Sequence, residues 1–330
     1  MDRKKDHIEL ALKSQVSAID KDGRFIYEPM LQAHPTGQKQ TFTFLKKQIA
    51  TPIWASSMTG GTEYARIINE NIARVCKDYK MGMGLGSCRI ILDDNTCFDD
   101  FNVRQYIGYD LPLYANLGIA QLEQLLFAGK TDILKNLVDK LQADGLIIHV
   151  NPLQEFFQPE GNTIKNAPIE SIEKLLDKVN FPIIVKEVGQ GIGKESLKKL
   201  LELPLEAIEF GAFGGTNFSM LEMQRAEKAI HDIYNPLAYI GQTAEQMVND
   251  INEIVKESSV RCEQIIISGG IKTFLDGYYL TEKSTLNAIY GMASTILTYA
   301  KHGYDELHKF VGAQKKGLAI AKAYLKVNPD

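Results

Sequence analysis

The chain has 330 residues, 45% of them hydrophobic, with 37 Lys and Arg against 41 Asp and Glu for a net charge of -4. That balance describes an ordinary globular protein and excludes a basic nucleic-acid footprint. No apolar run approaches the roughly 18 residues of a membrane helix. The opening "MDRKKDHIELALK" lacks the apolar stretch and cleavage site of a secretion signal. Four cysteines (Cys76, Cys88, Cys97, Cys262) show no CxxC pair or metal spacing. The expectation is a cytoplasmic protein with reduced thiols and neither a membrane nor a nucleic-acid partner.

The first 50 residues form an extension. Within it Arg3, Lys4 and His7 fall at i, i+1 and i+4, so Arg3 and His7 share one helix face with Lys4 at its edge. Such a run is ordinarily a solvated terminus; folded over a site, it would supply cations to phosphate oxygens. From residue 51, short apolar runs ending in Gly, Asn or polar residues recur: "PIWASSM", "GMGLGS", "LPLYANLG", "DGLIIHVN", "FPIIVKEVG", "AIEFGAFGG", "QIIISGG" and "NAIYGMAS". Segments with helical period lie between them, among them "YARIINENIARVCKDY" and "AEQMVNDINEIVKE". Strands apolar on both faces and joined by helices belong to a parallel sheet, and eight such units predict an α/β fold, a (β/α)8 TIM barrel. The competitor, a doubly wound sheet, lacks its usual GxGxxG after the first strand. The reading is one domain over 1–330, with 1–50 as extension and lid, 51–330 as barrel, and an insertion after strand six at 213–242.

In a barrel the C-terminal strand ends share one face. Here that face collects Met58, Thr59, Gly60 and Gly61; Ser87 and Arg89; Asn116; His149, Asn151, Gln154 and Glu155; Lys186 and Glu187; Gly214, Gly215 and Thr216; and Ser268, Gly269 and Gly270. The seventh and eighth units, "IIISGGIKT" and "IYGMAS", stand where barrels commonly bind phosphate through backbone amides, although "SGG" is equally a tight turn. Lys186 closes the fifth strand. Two roles are open to it, a Schiff-base nucleophile or a cation for a reduced flavin, against the plain alternative of an ion pair with Glu187 or another loop acid. In "HVNPLQE", Pro152 stops the strand and releases Asn151, Gln154 and Glu155 into the following loop. One carboxylate beside two amides is too few donors for a Ca2+ cage, but suits Mg2+ that keeps waters and shares a diphosphate.

With those residues in hand, the chain resembles the type 2 isopentenyl diphosphate isomerases, which are FMN-dependent barrel enzymes. The matching stretches run nearly end to end: "RKKDH" at 3–7, "MTGG" at 58–61, "MGLGSCR" at 83–89, "ANLG" at 115–118, "IHVNPLQEFFQPEG" at 148–161, "VKEVGQGI" at 185–192, "GGT" at 214–216 and "SGGIKT" at 268–273. By that likeness Ser57, Met58, Thr59, Ser87, Asn116, Lys186 and Thr216 would hold the FMN ring and ribityl chain, with Gly269, Gly270, Ala293 and Ser294 at its phosphate. Arg3, Lys4, His7, Ser87, Arg89, His149, Asn151 and Gln154 would hold the substrate, Gln154 and His149 standing nearest the chemistry, and Glu155 would ligate Mg2+.

The resemblance also implies a homo-oligomer, tetramer or octamer, acting on a small isoprenoid diphosphate. The reaction implied is a 1,3 allylic proton shift between isopentenyl and dimethylallyl diphosphate in isoprenoid biosynthesis, with NADPH serving only to reduce the flavin. This chain departs from the family pattern at Phe274, where a glycine is common, at Ser294, where an arginine or similar residue is common, and at Phe218, near which a tryptophan is common. The alternatives are another FMN barrel oxidoreductase, for which Cys88 beside Arg89 is the candidate thiolate, or an inactive flavin- or phosphate-binding homologue.

Overall fold

The computed structural model describes residues 3–36, 41–57, 59–92, 94–225 and 228–329. Eight parallel strands close into a barrel in sequence order: β1 (Ile53–Ala55), β2 (Gly82–Gly84), β3 (Leu113–Gly118), β4 (Gly145–Val150), β5 (Ile183–Glu187), β6 (Ala207–Glu209), β7 (Gln264–Ser268) and β8 (Asn287–Met292). Each lies within one of the eight apolar runs. β2 is made of Gly-Met-Gly for a steric reason: a Cβ on Gly82 would stand 2.3 Å from the Trp54 ring, and one on Gly84 2.7 Å from Ile147. Small residues there let the large ones fill the lumen. Outside the strands, the helix Ala244–Glu257 shows how the outer ring is made. Thr243 and Gln246 form a capping box, and Met247, Val248, Ile251 and Ile254 make the buried stripe. Each such side chain contributes roughly 1.5–3 kcal/mol by leaving water.

The extension holds the barrel at two places. The strand Phe25–Tyr27 pairs antiparallel with Leu325–Val327 on the outer wall, where Arg24 donates to Asp276 at 2.8 Å. The hairpin Phe42–Phe44 with Lys47–Ile49 then plugs the end at which the strands begin. There the Leu45 amide donates to Gln264 at the start of β7, Lys46 pairs with Glu206 just before β6, and Lys47 pairs with Asp144 just before β4. Phe44 and Leu45 are buried beneath the barrel. Residues 41–49 therefore close the end opposite the polar rim. The helix Arg3–Ala11 buries none of its residues.

The 213–242 insertion folds as the helices Phe218–Arg225 and Lys228–Tyr234 and the 3-10 turn Asn235–Tyr239. It packs on the short helix Pro152–Phe157 through a separate apolar cluster of Phe157, Met223 and Ala238, which sets it on the rim above β4 to β6. No helix among the described residues is long and apolar enough to cross a membrane.

Candidate active site

Two contiguous cavities open at the C-terminal strand ends, sharing Lys186, Glu187 and Val188 in their walls. The first, about 360 Å3, lies over β5 to β8 and β1. Of the residues assigned to flavin, Ser57, Lys186, Thr216, Gly269, Gly270, Ala293 and Ser294 line it. Thr59 stands beside it, Asn116 is buried on β3 and is not part of its wall, Ser87 is exposed on the rim, and Met58 lies outside the described residues. Its floor holds two buried hydroxyls, Ser56 Oγ and Ser57 Oγ, with no hydrogen-bond partner among the described residues.

The phosphate end of this cavity is built from main chain. Gly269 and Gly270 take φ of 88° and 75°, and a Cβ on Gly269 would strike the Ala212 carbonyl at 2.1 Å, so that backbone tolerates only glycine. The helix that follows, Phe274–Lys283, caps itself: the Lys272 and Thr273 amides donate to Asp276 at 3.0 and 2.8 Å. Amides left for an anion therefore come from the Gly269–Gly270 turn and from the start of Ser294–Ala300, whose N-cap Ala293 supplies no side-chain bond. Phe274 leaves this end open. Its ring packs where a Cβ on Gly317 would be, 2.4 Å away, on the long C-terminal helix.

The second cavity, about 610 Å3, runs from Asn151 and Gln154 past Lys186 and Glu187 to apolar walls at Ile169, Ile172, Ile192 and Leu200. Pro152 starts the helix Pro152–Phe157 and Asn151 is its N-cap residue. That single turn aims three side chains. Asn151 Nδ2 donates to Gln154 Oε1 at 3.0 Å, Gln154 Nε2 donates to Glu222 Oε1 at 3.2 Å, and Arg225 Nη1 donates to Glu222 Oε2 at 2.6 Å. The amide of Gln154 is thereby held between the strand end and a buried carboxylate on the insertion. Glu155 accepts at Oε2 from the Asn162 amide at 2.7 Å and at Oε1 from Asn151 Nδ2 at 3.4 Å. The loop reaches it because Gly161 passes under the helix, where a Cβ would sit 1.9 Å from the Glu155 carbonyl.

His149, on β4, meets Asn116 Oδ1 through Nδ1 at 2.8 Å, and Asn116 Nδ2 donates to the Leu85 carbonyl at 3.0 Å. The second bond turns the Asn116 oxygen toward the ring, so Nδ1 carries the proton and Nε2 is left as an acceptor. Burial, with Lys186 adding to it, pushes the imidazole down to about 4. Lys186 pairs with Glu209, Nζ to Oε1 at 3.3 Å, and not with Glu187 as its sequence neighbour suggested. Adjacent strand residues point to opposite faces. Glu187 instead accepts from the Gly189, Gln190 and Gly191 amides at 2.6 to 2.8 Å, and burial against those bonds raises it to about 7.

Cys88 does not serve the rival oxidoreductase reading. It is fully buried, and burial pushes its thiol up to about 12, so Arg89 beside it makes no reactive thiolate. Arg89 itself is exposed on the rim, and Arg3, Lys4 and His7 are exposed on their helix. Sequence reading missed Glu209 and Glu222. The signal for Glu222 was present: Ser219, Glu222 and Met223 are the buried stripe of their helix, which places an acid on an apolar face.

No family model matches the sequence. Among solved structures, a flavocytochrome b2 double mutant with sulfite bound is 14% identical with a TM-score of 0.63, covering 91% of this chain and 72% of its own. A mandelate oxidase mutant with the monooxide FMN adduct is 14% identical with a TM-score of 0.55, covering 92% and 88%. Both share the barrel. Among curated proteins, the isopentenyl-diphosphate delta-isomerase of Rickettsia prowazekii (strain Madrid E) is 34% identical over 305 residues, 91% of this chain and 86% of that protein. That of Rickettsia typhi (strain ATCC VR-144 / Wilmington) is 33% identical over the same shares, and that of Rickettsia akari (strain Hartford) 34% over 302 residues, 90% and 85%. A likeness of that depth along nine-tenths of the chain, on a closed parallel barrel, makes this protein an enzyme of the type 2 isopentenyl-diphosphate delta-isomerase family.

Proposed function

We propose that the enzyme interconverts isopentenyl and dimethylallyl diphosphate by a 1,3 proton shift, with reduced FMN in the smaller cavity and Mg2+ at Glu155. The observation that carries this reading is Gln154, held between Asn151 and the buried Glu222 in the wall of the larger cavity, which adjoins the smaller one at Lys186.

The residues suit both groups. For FMN, the 360 Å3 cavity offers unpartnered hydroxyls on its floor, a cation at Lys186 and a glycine cradle at its anionic end. For the metal, no cluster of three or more His, Cys, Asp or Glu residues exists among the described residues. Glu155 with the unpartnered, buried Asn151 Oδ1 suits a hard ion that takes its remaining oxygens from water and diphosphate. NADPH belongs to the proposal only as the source of electrons for the flavin. The reduced flavin, when bound, supplies an electron-rich face and an exchangeable proton against a developing tertiary cation, which ordinary side-chain acids stabilise poorly.

The chain's own residues do the rest. Glu155 and Asn151 would hold the metal, and with it the diphosphate end, away from the reacting carbons. Gln154 orients a proton at its amide, with Glu222 behind it able to accept one or give it back. His149 is neutral near pH 7 and presents Nε2 as an acceptor, so it meets the diphosphate through a protonated oxygen or by taking up a proton as the anion arrives. Arg3, Lys4, His7 and Arg89 add cations when the exposed N-terminal helix is drawn over the rim. The proposal includes a cytoplasmic homo-oligomer, tetramer or octamer, which light scattering reads.

The test is the purified protein with FMN, a reductant and isopentenyl diphosphate, followed by proton NMR. Conversion that needs both reduced flavin and Mg2+ supports the reading. Flavin binding without turnover defeats it.

A further inference from the structure

Lys186 and Glu209 face each other across β5 and β6, in direct register. Lys186 is 7% exposed and lines the smaller cavity; Glu209 is 0% exposed and does not line it. The pair is joined by one contact, Nζ to Oε1 at 3.3 Å, while Glu209 Oε2 has no hydrogen-bond partner among the described residues. A carboxylate this deep, with one oxygen unmet, is a poor stabilising device, since apolar residues of similar volume commonly do as well or better. Stability does not explain the charge. Its position does: a full negative charge is locked to the back of the cation that the cavity presents to its occupant, in a region where water cannot screen it.

We infer that Glu209 is a positioning residue whose charge limits how strongly Lys186 favours the reduced flavin over the oxidised one. This rests on the FMN reading above. The ammonium attracts the negative charge that builds up on reduction around flavin N1 and its neighbouring carbonyl, and Glu209 opposes that attraction by one charge. The arrangement keeps Lys186 oriented and tempers its field at once.

The experiment uses the full chain loaded with FMN and compares wild type with Glu209→Gln, which keeps shape and removes charge. Two quantities are read: the dissociation constant of oxidised FMN and the midpoint potential of the bound flavin. The inference expects the preference for reduced over oxidised flavin to rise about tenfold in Glu209→Gln, which for two electrons is a rise of about 30 mV. A purely structural Glu209, needed only to hold Lys186 in place, gives the opposite sign, because a displaced lysine lowers the preference. An unchanged or lowered potential therefore overturns the inference while leaving the flavin reading intact. Wild-type protein that binds no FMN defeats that reading, and this inference with it. Should Glu209→Gln not fold, Glu209→Asp carries the test: it keeps the charge but withdraws it from Nζ by one methylene, so a smaller rise of the same sign is expected, and an unchanged or lowered potential overturns the inference.

Discussion

The two halves of the rim are made of different materials. Over β3 and β4, polar side chains hold one another: Asn116 with His149, Asn151 with Gln154, Gln154 with Glu222, and Glu155 with the Asn162 amide. Over β6 to β8 the wall is glycine and main chain, with Gly214, Gly215, Gly269 and Gly270 leaving room and amides. The first half recognises through particular atoms, so removing one atom has a large effect. The second recognises by shape, so removing side-chain atoms matters little and adding them matters more. Lys186 belongs to both cavities.

The largest effect is expected on the side-chain half. Glu155→Gln keeps the shape and one of the two accepted bonds, from Asn162 or from Asn151, and removes the charge a divalent ion needs. Turnover should fall about 10^3-fold, ~4 kcal/mol of barrier, with excess Mg2+ restoring little. The spectrum of bound flavin should stay as in wild type, since Glu155 lines neither wall of the smaller cavity. A parallel loss of flavin would break the division of the rim into two halves.

Next comes the residue the halves share. Lys186→Ala strands Glu209, fully buried, with no partner for its charge. Breaking a buried pair from one side costs about 3–5 kcal/mol. Urea denaturation of the flavin-free protein measures this; a loss under about 1 kcal/mol would mean that Glu209 has some other means of relief.

That pair also marks how far the chain could be read from its letters. The eight strands were plain, because apolar runs such as "IIVKEVG" and "QIIISGG" stop abruptly at polar or glycine residues, and strand ends in a parallel barrel must share a face. Pro152 likewise marked where β4 stops, but the residues after it, expected in a loop, form the helix Pro152–Phe157, and their partner Glu222 was missed. What stayed hidden was whatever depends on a neighbouring strand's register. Lys186 meets Glu209 because β5 and β6 align those two positions, 23 residues apart, and no local pattern carries that alignment. Glu187 was the nearer acid in sequence and the wrong one in space. The hairpin Phe42–Phe44 with Lys47–Ile49 is a similar case. Its apolar residues called for burial, but only contacts with Gln264, Glu206 and Asp144 decide that it seals the far end.

A smaller effect sharpens the side-chain half by pH. His149 titrates at about 4 in the fold against 6.5 as a free group, so between those values the unfolded chain holds more protons than the folded one. Stability from this group is complete above about pH 6.5 and is lost as the pH falls through about 4. The ring is only partly buried, so about 2 kcal/mol is expected after allowing for solvent at the mouth. Comparing wild type with His149→Gln by denaturation at pH 7 and pH 4 should show wild type losing that much more. Equal losses would mean that the ring binds its proton in the fold about as readily as it does in the unfolded chain.

The smallest effects test the glycine half, by a contrast between two substitutions. A Cβ on Gly215 would stand 3.0 Å from the Gly270 nitrogen and 3.3 Å from the Gly269 Cα. Gly215→Ala must therefore push the turn that carries the cradle's amides by a few tenths of an ångström. About a tenfold loss of FMN affinity is expected, ~1.4 kcal/mol, with little change in the melt. Ser294→Ala removes a hydroxyl but keeps the amide that opens the helix Ser294–Ala300, and FMN affinity should stay within about twofold. Fluorescence titration of FMN reads both. The reverse order, a harmless alanine at 215 and a costly one at 294, would mean that side-chain atoms do the recognising here as well, and the two halves of the rim would be alike after all.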